Sequence, residues 1–132
     1  MTGGPVIGTW EDVFSSHSAE VQAIGLALRD LIFSVHPGAV MVARPGDNGV
    51  TFGTGPRKML DGYIYPAPHQ VRVNFGFYQG AHLADPSALM QGTGTNLRHI
   101  KVVDLATVGR PEMRDLVQQA LVRQREIEGA RG

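Results

Sequence analysis

Cysteine is absent from the chain. That removes disulfides, thiolate metal ligands and cysteine nucleophiles together, and it suits a reducing compartment such as the cytoplasm. An excess of either charge is missing too, since twelve Lys and Arg balance twelve Asp and Glu. With no net field to draw it toward phosphates or an anionic membrane, nucleic acid is not an expected partner. No apolar run is long enough to span a bilayer, and the opening Met-Thr-Gly-Gly-Pro carries no basic n-region. No membrane association and a cytoplasmic location are the expectations.

Catalytic signatures are equally scarce. There is no Gly-x-Ser-x-Gly elbow, and Ser15, Ser16, Ser18, Ser34 and Ser87 fall in cap-like or helical contexts. Acids cluster at helix starts and turns rather than in pairs suited to acid/base work. His17, His36, His69, His82 and His99 are scattered, with no pair at the one-turn spacing of a helical zinc site. His82 and Asp85 are close enough in sequence to offer two ligands, but Asp85 is better explained as a cap, so no metal site is assigned.

What is present describes one globular domain over residues 1–132, with its core approximately at 13–124 and loose ends. Apolar residues make up 42% and charged residues 18% of the chain, a balance that folds rather than stays disordered. Val21, Ile24, Leu28, Leu31, Ile32 and Val35 share one stripe at helical spacing, so a long helix is expected over 18–35. Ser18 caps its start and His36-Pro37-Gly38 stops it. Gly25 in its middle points to a backbone passing close by.

The middle reads as strands: 39–43 and 50–52 joined by the Pro45–Gly49 turn, then 63–65 returning through Pro66-Ala67-Pro68-His69 into 71–77. In that last strand Val71, Val73, Phe75 and Phe77 take one face and Arg72 and Asn74 the other. Asp85-Pro86 fits the cap and first position of a short helix through Met90. Leu97 to Val103 is a fifth strand, and Pro111 opens a final helix whose charged end, from Arg123, should fray. The fold class is therefore α+β, an antiparallel sheet of about five strands packed against a long N-terminal helix and a C-terminal helix.

The richest polar constellation runs from Gly92 to Lys101. A Gly-Thr-Gly turn can present successive amides to an anion, and Gly92, Thr93 and Gly94 with Arg98, His99 and Lys101 form a candidate anion site. Strand alternation puts His99 and Lys101 on one side and Arg98 on the other, so other segments would have to complete it. The plain alternative is a tight loop followed by a strand with solvated bases. The loop is neither a P-loop nor a dinucleotide fingerprint, because the Gly-Lys-Ser/Thr and the third glycine are missing. A second stretch, Gly53-Thr54-Gly55-Pro56-Arg57-Lys58, would make a basic pocket if the two loops met. Trp10, Tyr63, Tyr65 and Tyr78 either line an apolar pocket or pack in the core.

The order Phe75-Gly76-Phe77-Tyr78-Gln79-Gly80-Ala81-His82-Leu83-Ala84-Asp85-Pro86, then Gly92-Thr93-Gly94, then Arg98-His99-Ile100-Lys101-Val102, resembles the YdhG-like family of bacterial domains of unknown function. The resemblance covers approximately Val13 to Gln124. It implies a strongly bent antiparallel sheet with helices against it, similar to frataxin, and an iron-chaperone role proposed within that family. Thr95 stands where that family often has Lys, which removes one donor of the supposed anion site. Only Glu11, Asp12, Glu20 and Asp30 supply acid around the first helix, too few for the ridge that holds a hard cation.

Three function classes follow. A non-catalytic domain binding a small ligand, with an anion the favoured kind, comes first, with no cofactor assigned. An interaction module or homo-oligomer using an edge strand or apolar patch comes second. An enzyme using His99 or His82 as acid/base comes last.

Overall fold

The computed structural model describes residues 8–131. Five antiparallel strands form one curled meander, each paired with the next in chain order. They are β1 (Val40–Arg44), β2 (Gly49–Gly53), β3 (Gly62–Pro68), β4 (Val73–Phe77) and β5 (Arg98–Val102). The helices are α1 (Trp10–Phe14), α2 (Ala19–Val35), α3 (Lys58–Asp61), α4 (Leu105–Val108) and α5 (Pro111–Ala130). The α+β architecture expected from the sequence is the one the chain adopts.

The two long helices are amphipathic, and they bury their stripes against the same face of the sheet. Val21, Ile24, Leu28 and Ile32 of α2 and Met113, Leu116, Val117, Ala120 and Leu121 of α5 join one hydrophobic cluster. Val50, Phe52, Ile64, Val73, Phe75, Phe77, Ile100 and Val102 supply the sheet's side of it. Ser18 caps α2 by accepting from the Val21 amide at 3.2 Å, and the helix ends at His36.

Between β2 and β3 the register shifts: Phe52 pairs with Ile64, but Gly53 pairs with Gly62. Tyr63 is the extra residue, so Tyr63 and Ile64 both enter the core, 1% and 0% exposed. Alternation then resumes and delivers Tyr65 to the opposite face. The Tyr63 hydroxyl meets His36 Nδ1 at 2.6 Å, tying the end of α2 to the shift.

Several local expectations are corrected. Gly25 is approached by a ring, not a backbone: a Cβ there would lie 2.4 Å from Cε2 of Phe14. That ring belongs to α1, unread in the sequence although Thr9 and Asp12 form a capping box around its start. The β3–β4 turn falls at 69–72, closed by the His69 amide on the Arg72 carbonyl at 2.8 Å. Val71 sits in that turn, 69% exposed, rather than on the core face. Pro66 and Pro68 lie inside β3, opposite Phe75 and Val73, because the β2 pairing stops at Ile64 and asks no amide of them.

Asp85 to Met90 is a turn, not a helix. Ala88 has φ of +53°, which ends any helical run, and the Asp85 carboxylate accepts from the amides of Leu89 (3.0 Å) and Met90 (2.9 Å). The charged end of α5 stays helical to Ala130 instead of fraying at Arg123. It is held by contacts the sequence does not announce: buried Gln124 donates to the Leu60 carbonyl at 2.8 Å, and Glu128 accepts from Thr54 and Gln124.

Gly53 is the tightest backbone approach in the sheet, since a Cβ there would lie 2.4 Å from the Asp61 carbonyl oxygen. Backbone cannot yield as a flexible side chain does. Gly53→Ala is expected to cost about 1–3 kcal/mol or more, as overpacking does. Urea unfolding of the two proteins side by side measures this, and equal midpoints would contradict the register shift described here.

Candidate functional site

The sheet face turned away from α2 and α5 carries Thr51, Tyr65, Asn74, Gly76, His99 and Lys101, set there by alternation with the buried core residues. After Gly53 the chain folds back over this face. Arg44 Nη2 donates to the Pro56 carbonyl at 2.8 Å, and Lys58 meets Asp47 at 2.7 Å, so the 54–60 segment is pinned to the β1–β2 hairpin. Asp61 fastens its far end: its carboxylate accepts from the Arg57 amide at 2.8 Å and from the Arg57 guanidinium at 2.9 and 3.0 Å. Those bonds hold the Asp61 carboxyl below the usual carboxylate range.

Between this segment and the sheet lies a cavity of about 650 Å³. Thr51, Gly62 and Tyr65 line it from the sheet, Tyr78 from the turn after β4, Lys58, Met59 and Leu60 from the folded-back segment, and Gly94 to Leu97 from the loop before β5. Gln124, Ile127 and Arg131 of the C-terminal segment complete the lining. Tyr65 and Tyr78 pack with ring centroids 5.0 Å apart. Thr51, only 4% exposed, has its hydroxyl 3.1 Å from Arg44 Nε and 3.4 Å from the Tyr78 hydroxyl. Met59, Leu60 and Leu97 are exposed apolar side chains, all at the cavity. Its charged lining residues are Arg44, Lys58 and Arg131 against Asp47 alone, with Lys58 and Asp47 paired to each other.

The residues singled out in the sequence divide. Gly92, Thr93 and Gly94 are exposed, with Gly92 at φ of +133°. Arg98 shares the side of Ile100 and Val102, packs over Gly80, and spends its Nη1 on the carbonyls of Gly94 (2.6 Å) and Leu97 (2.7 Å). It therefore shapes the loop from the other side, while His99 and Lys101 lie on the open face, paired with Gly76 and Asn74. Of the Gly92 loop, Gly94 lines the cavity, opposite the residues that follow Gly53-Thr54-Gly55. Trp10 and Tyr63 are core residues, whereas Tyr65 and Tyr78 line the cavity. His82 Nε2 lies 2.7 Å from Asn96 Oδ1, away from an Asp85 whose two oxygens hold backbone amides.

Arg44 and Arg131 were not legible as site residues, whereas Lys58 belongs to the second Gly-Thr-Gly stretch weighed as part of a basic pocket. The three come together only because the chain folds back after Gly53 and because α5 continues past Arg123. Among the described residues, no group of three or more His, Asp and Glu is placed to hold a metal ion. No helix among them is long and apolar enough to cross a membrane.

Charge is segregated by element. Residues 39–103 hold six Lys and Arg against three carboxylates, while the rest of the chain holds six against nine. The zero sum conceals a basic sheet backed by acidic helices.

No family model, curated protein or solved structure matches the chain.

Burial pushes three histidines below the ordinary imidazole value. His36 is lowered first by burial and then by Arg125, His69 by burial and then Arg72, and His99 by burial and then Lys101. In each the unfolded chain binds the proton more readily, so stability is full above about pH 6.5 and lost as pH falls toward the folded values. The depressed carboxylates Asp61 and Glu128 add a further loss at lower pH. The thermal midpoint should thus fall between pH 7 and pH 5, less steeply in His36→Asn; scanning calorimetry across this range checks it, and a flat profile would contradict it.

Proposed function

We propose that this domain binds a small anionic molecule with an apolar or aromatic part, in the cavity between the open sheet face and the 54–60 segment, without converting it chemically. The observation that carries the reading is the lining itself. Tyr65, Tyr78, Met59, Leu60 and Leu97 offer apolar surface, and three cations face one carboxylate. Sites for small molecules combine such a wall with a few placed polar groups.

The binding reading rests on this lining. His82 and His99, the two acid/base candidates, both lie outside it. The cavity residues are also heavily committed to one another. Arg44 is bonded to Thr51 and Pro56, and Gln124 and Arg131 both donate to the Leu60 carbonyl, at 2.8 and 3.0 Å. Such a site is held in shape before its ligand arrives, which lowers the ordering cost of binding.

A thermal-shift and calorimetric screen against phosphorylated metabolites, aromatic carboxylates and aryl phosphates tests the reading, because a ligand stabilises the folded state in proportion to its occupancy. At least one anion with an apolar part should raise the midpoint. Lys58→Ala should weaken that ligand several-fold while leaving the unliganded midpoint nearly unchanged, since the exposed Lys58–Asp47 pair contributes little to stability. No stabilisation by any of these anions, or binding indifferent to Lys58→Ala, would overturn the proposal.

A further inference from the structure

Beside the cavity, the open face carries a second arrangement. Tyr65 is paired with Gly76 across β3 and β4, and its ring lies over that glycine: a Cβ on Gly76 would fall 2.1, 2.2 and 2.6 Å from Cζ, Cε1 and Cε2. The missing side chain lets an aromatic ring rest on the strand, partly exposed to solvent. On β5, His99 is the register partner of Gly76, and Lys101 is the partner of Asn74. Asn74 gathers two more basic side chains, since Arg72 Nε donates to its Oδ1 at 3.0 Å and His69 Nε2 lies 3.1 Å from its Nδ2. A ring on bare backbone thus adjoins a row of Arg72, His69, His99 and Lys101, and no carboxylate lies in β3, β4 or β5.

A nucleotide needs both features: a flat apolar surface for the base and cations for the phosphate. Antiparallel sheets with helices on one face use the other in this way, stacking bases on aromatic side chains and pairing phosphates with Arg and Lys. The zero net charge, which argued against nucleic acid in the sequence, does not bear on this face, because the compensating acids lie mainly in the helical segments.

We propose that the ligand of this domain is a nucleotide, its base stacked on Tyr65 at the cavity mouth and its phosphate held by Arg72 and Lys101. The proposal rests on the cavity reading above and specifies its ligand class, with Lys58 facing the stacked base from the wall of the cavity that Tyr65 also lines. A free nucleotide and one unit of a single-stranded nucleic acid share this chemistry.

Isothermal titration of the full chain with ATP, a short oligothymidylate and phenyl phosphate separates the cases. ATP, oligothymidylate or both should bind. Tyr65→Phe should retain affinity, and Tyr65→Leu should weaken it roughly ten-fold, the usual cost of losing one stacked base. Arg72→Ala with Lys101→Ala should weaken binding and flatten its salt dependence. Because these two side chains are not part of the core, that variant carries the test if Tyr65→Leu fails to fold. Tighter binding of oligothymidylate would identify a single strand, and tighter binding of ATP a free nucleotide; either supports the proposal. Binding of phenyl phosphate alone, lost in Lys58→Ala, would overturn the nucleotide assignment and leave the cavity reading standing. No binding of ATP or oligothymidylate would overturn the nucleotide assignment and leave the cavity reading to its own screen, and nucleotide binding untouched by Tyr65→Leu and by the Arg72/Lys101 pair would overturn the assignment to this face.

Discussion

The register shift where β2 meets the start of β3 sets what each side of the sheet presents. With Gly53 opposite Gly62 and Phe52 opposite Ile64, Tyr63 becomes a surplus residue, and two large side chains enter the core in succession. Tyr65 is then thrown to the other side, onto Gly76. The same place brings the Gly53 backbone against the Asp61 carbonyl, so the connection between the strands has no room to run straight on. It folds back instead and becomes a cavity wall. Glycine at 53, 62 and 76 is a steric condition here, because side chains would meet Asp61, Thr51 and Tyr65 respectively.

Two anchors keep that wall in place. Arg57 and Asp61 close the short turn of α3 on itself, while Thr54 and Leu60 are gripped by Glu128, Gln124 and Arg131 at the end of α5. The C-terminal helix therefore has two separate roles along its length. Its first half fills the core with Met113, Leu116 and Val117, and its second half sets the position of a loop through polar contacts. Such contacts are modest singly but costly to leave unmade once partly buried.

Periodicity made the frame legible. The stripe from Val21 to Ile32, the alternation from Val73 to Phe77 and the Pro111 helix start are local signals, and the chain obeys them. Misreadings arose where a competing local turn, a neighbouring strand or a distant partner outweighed the simplest local preference. Asp85-Pro86 looks like a helix start, but Ala88 turns left-handed and the carboxylate holds a turn. Pro66 and Pro68 look like a turn, but β2 makes no demand on their missing amides. The charged run after Arg123 looks loose, but Gln124 and Glu128 have partners more than sixty positions away. The candidate site was legible only in part, since His99 and Lys101 could be placed on one side by alternation. Of the cavity cations, Lys58 stood in a stretch the sequence marked as basic, but Arg44 and Arg131 come from other segments and share no motif with it to reveal them.

The central claim is that the open face beneath the 54–60 segment is the surface that receives ligand. Backbone amide chemical-shift mapping with phenyl phosphate, the smallest probe joining a ring to an anion, tests this most directly. The account predicts saturable shifts concentrated at Thr51, Gly62, Tyr65, Gly76 and Tyr78, with the α2 amides unmoved. Shifts confined to the helical side, or none that saturate, would contradict it.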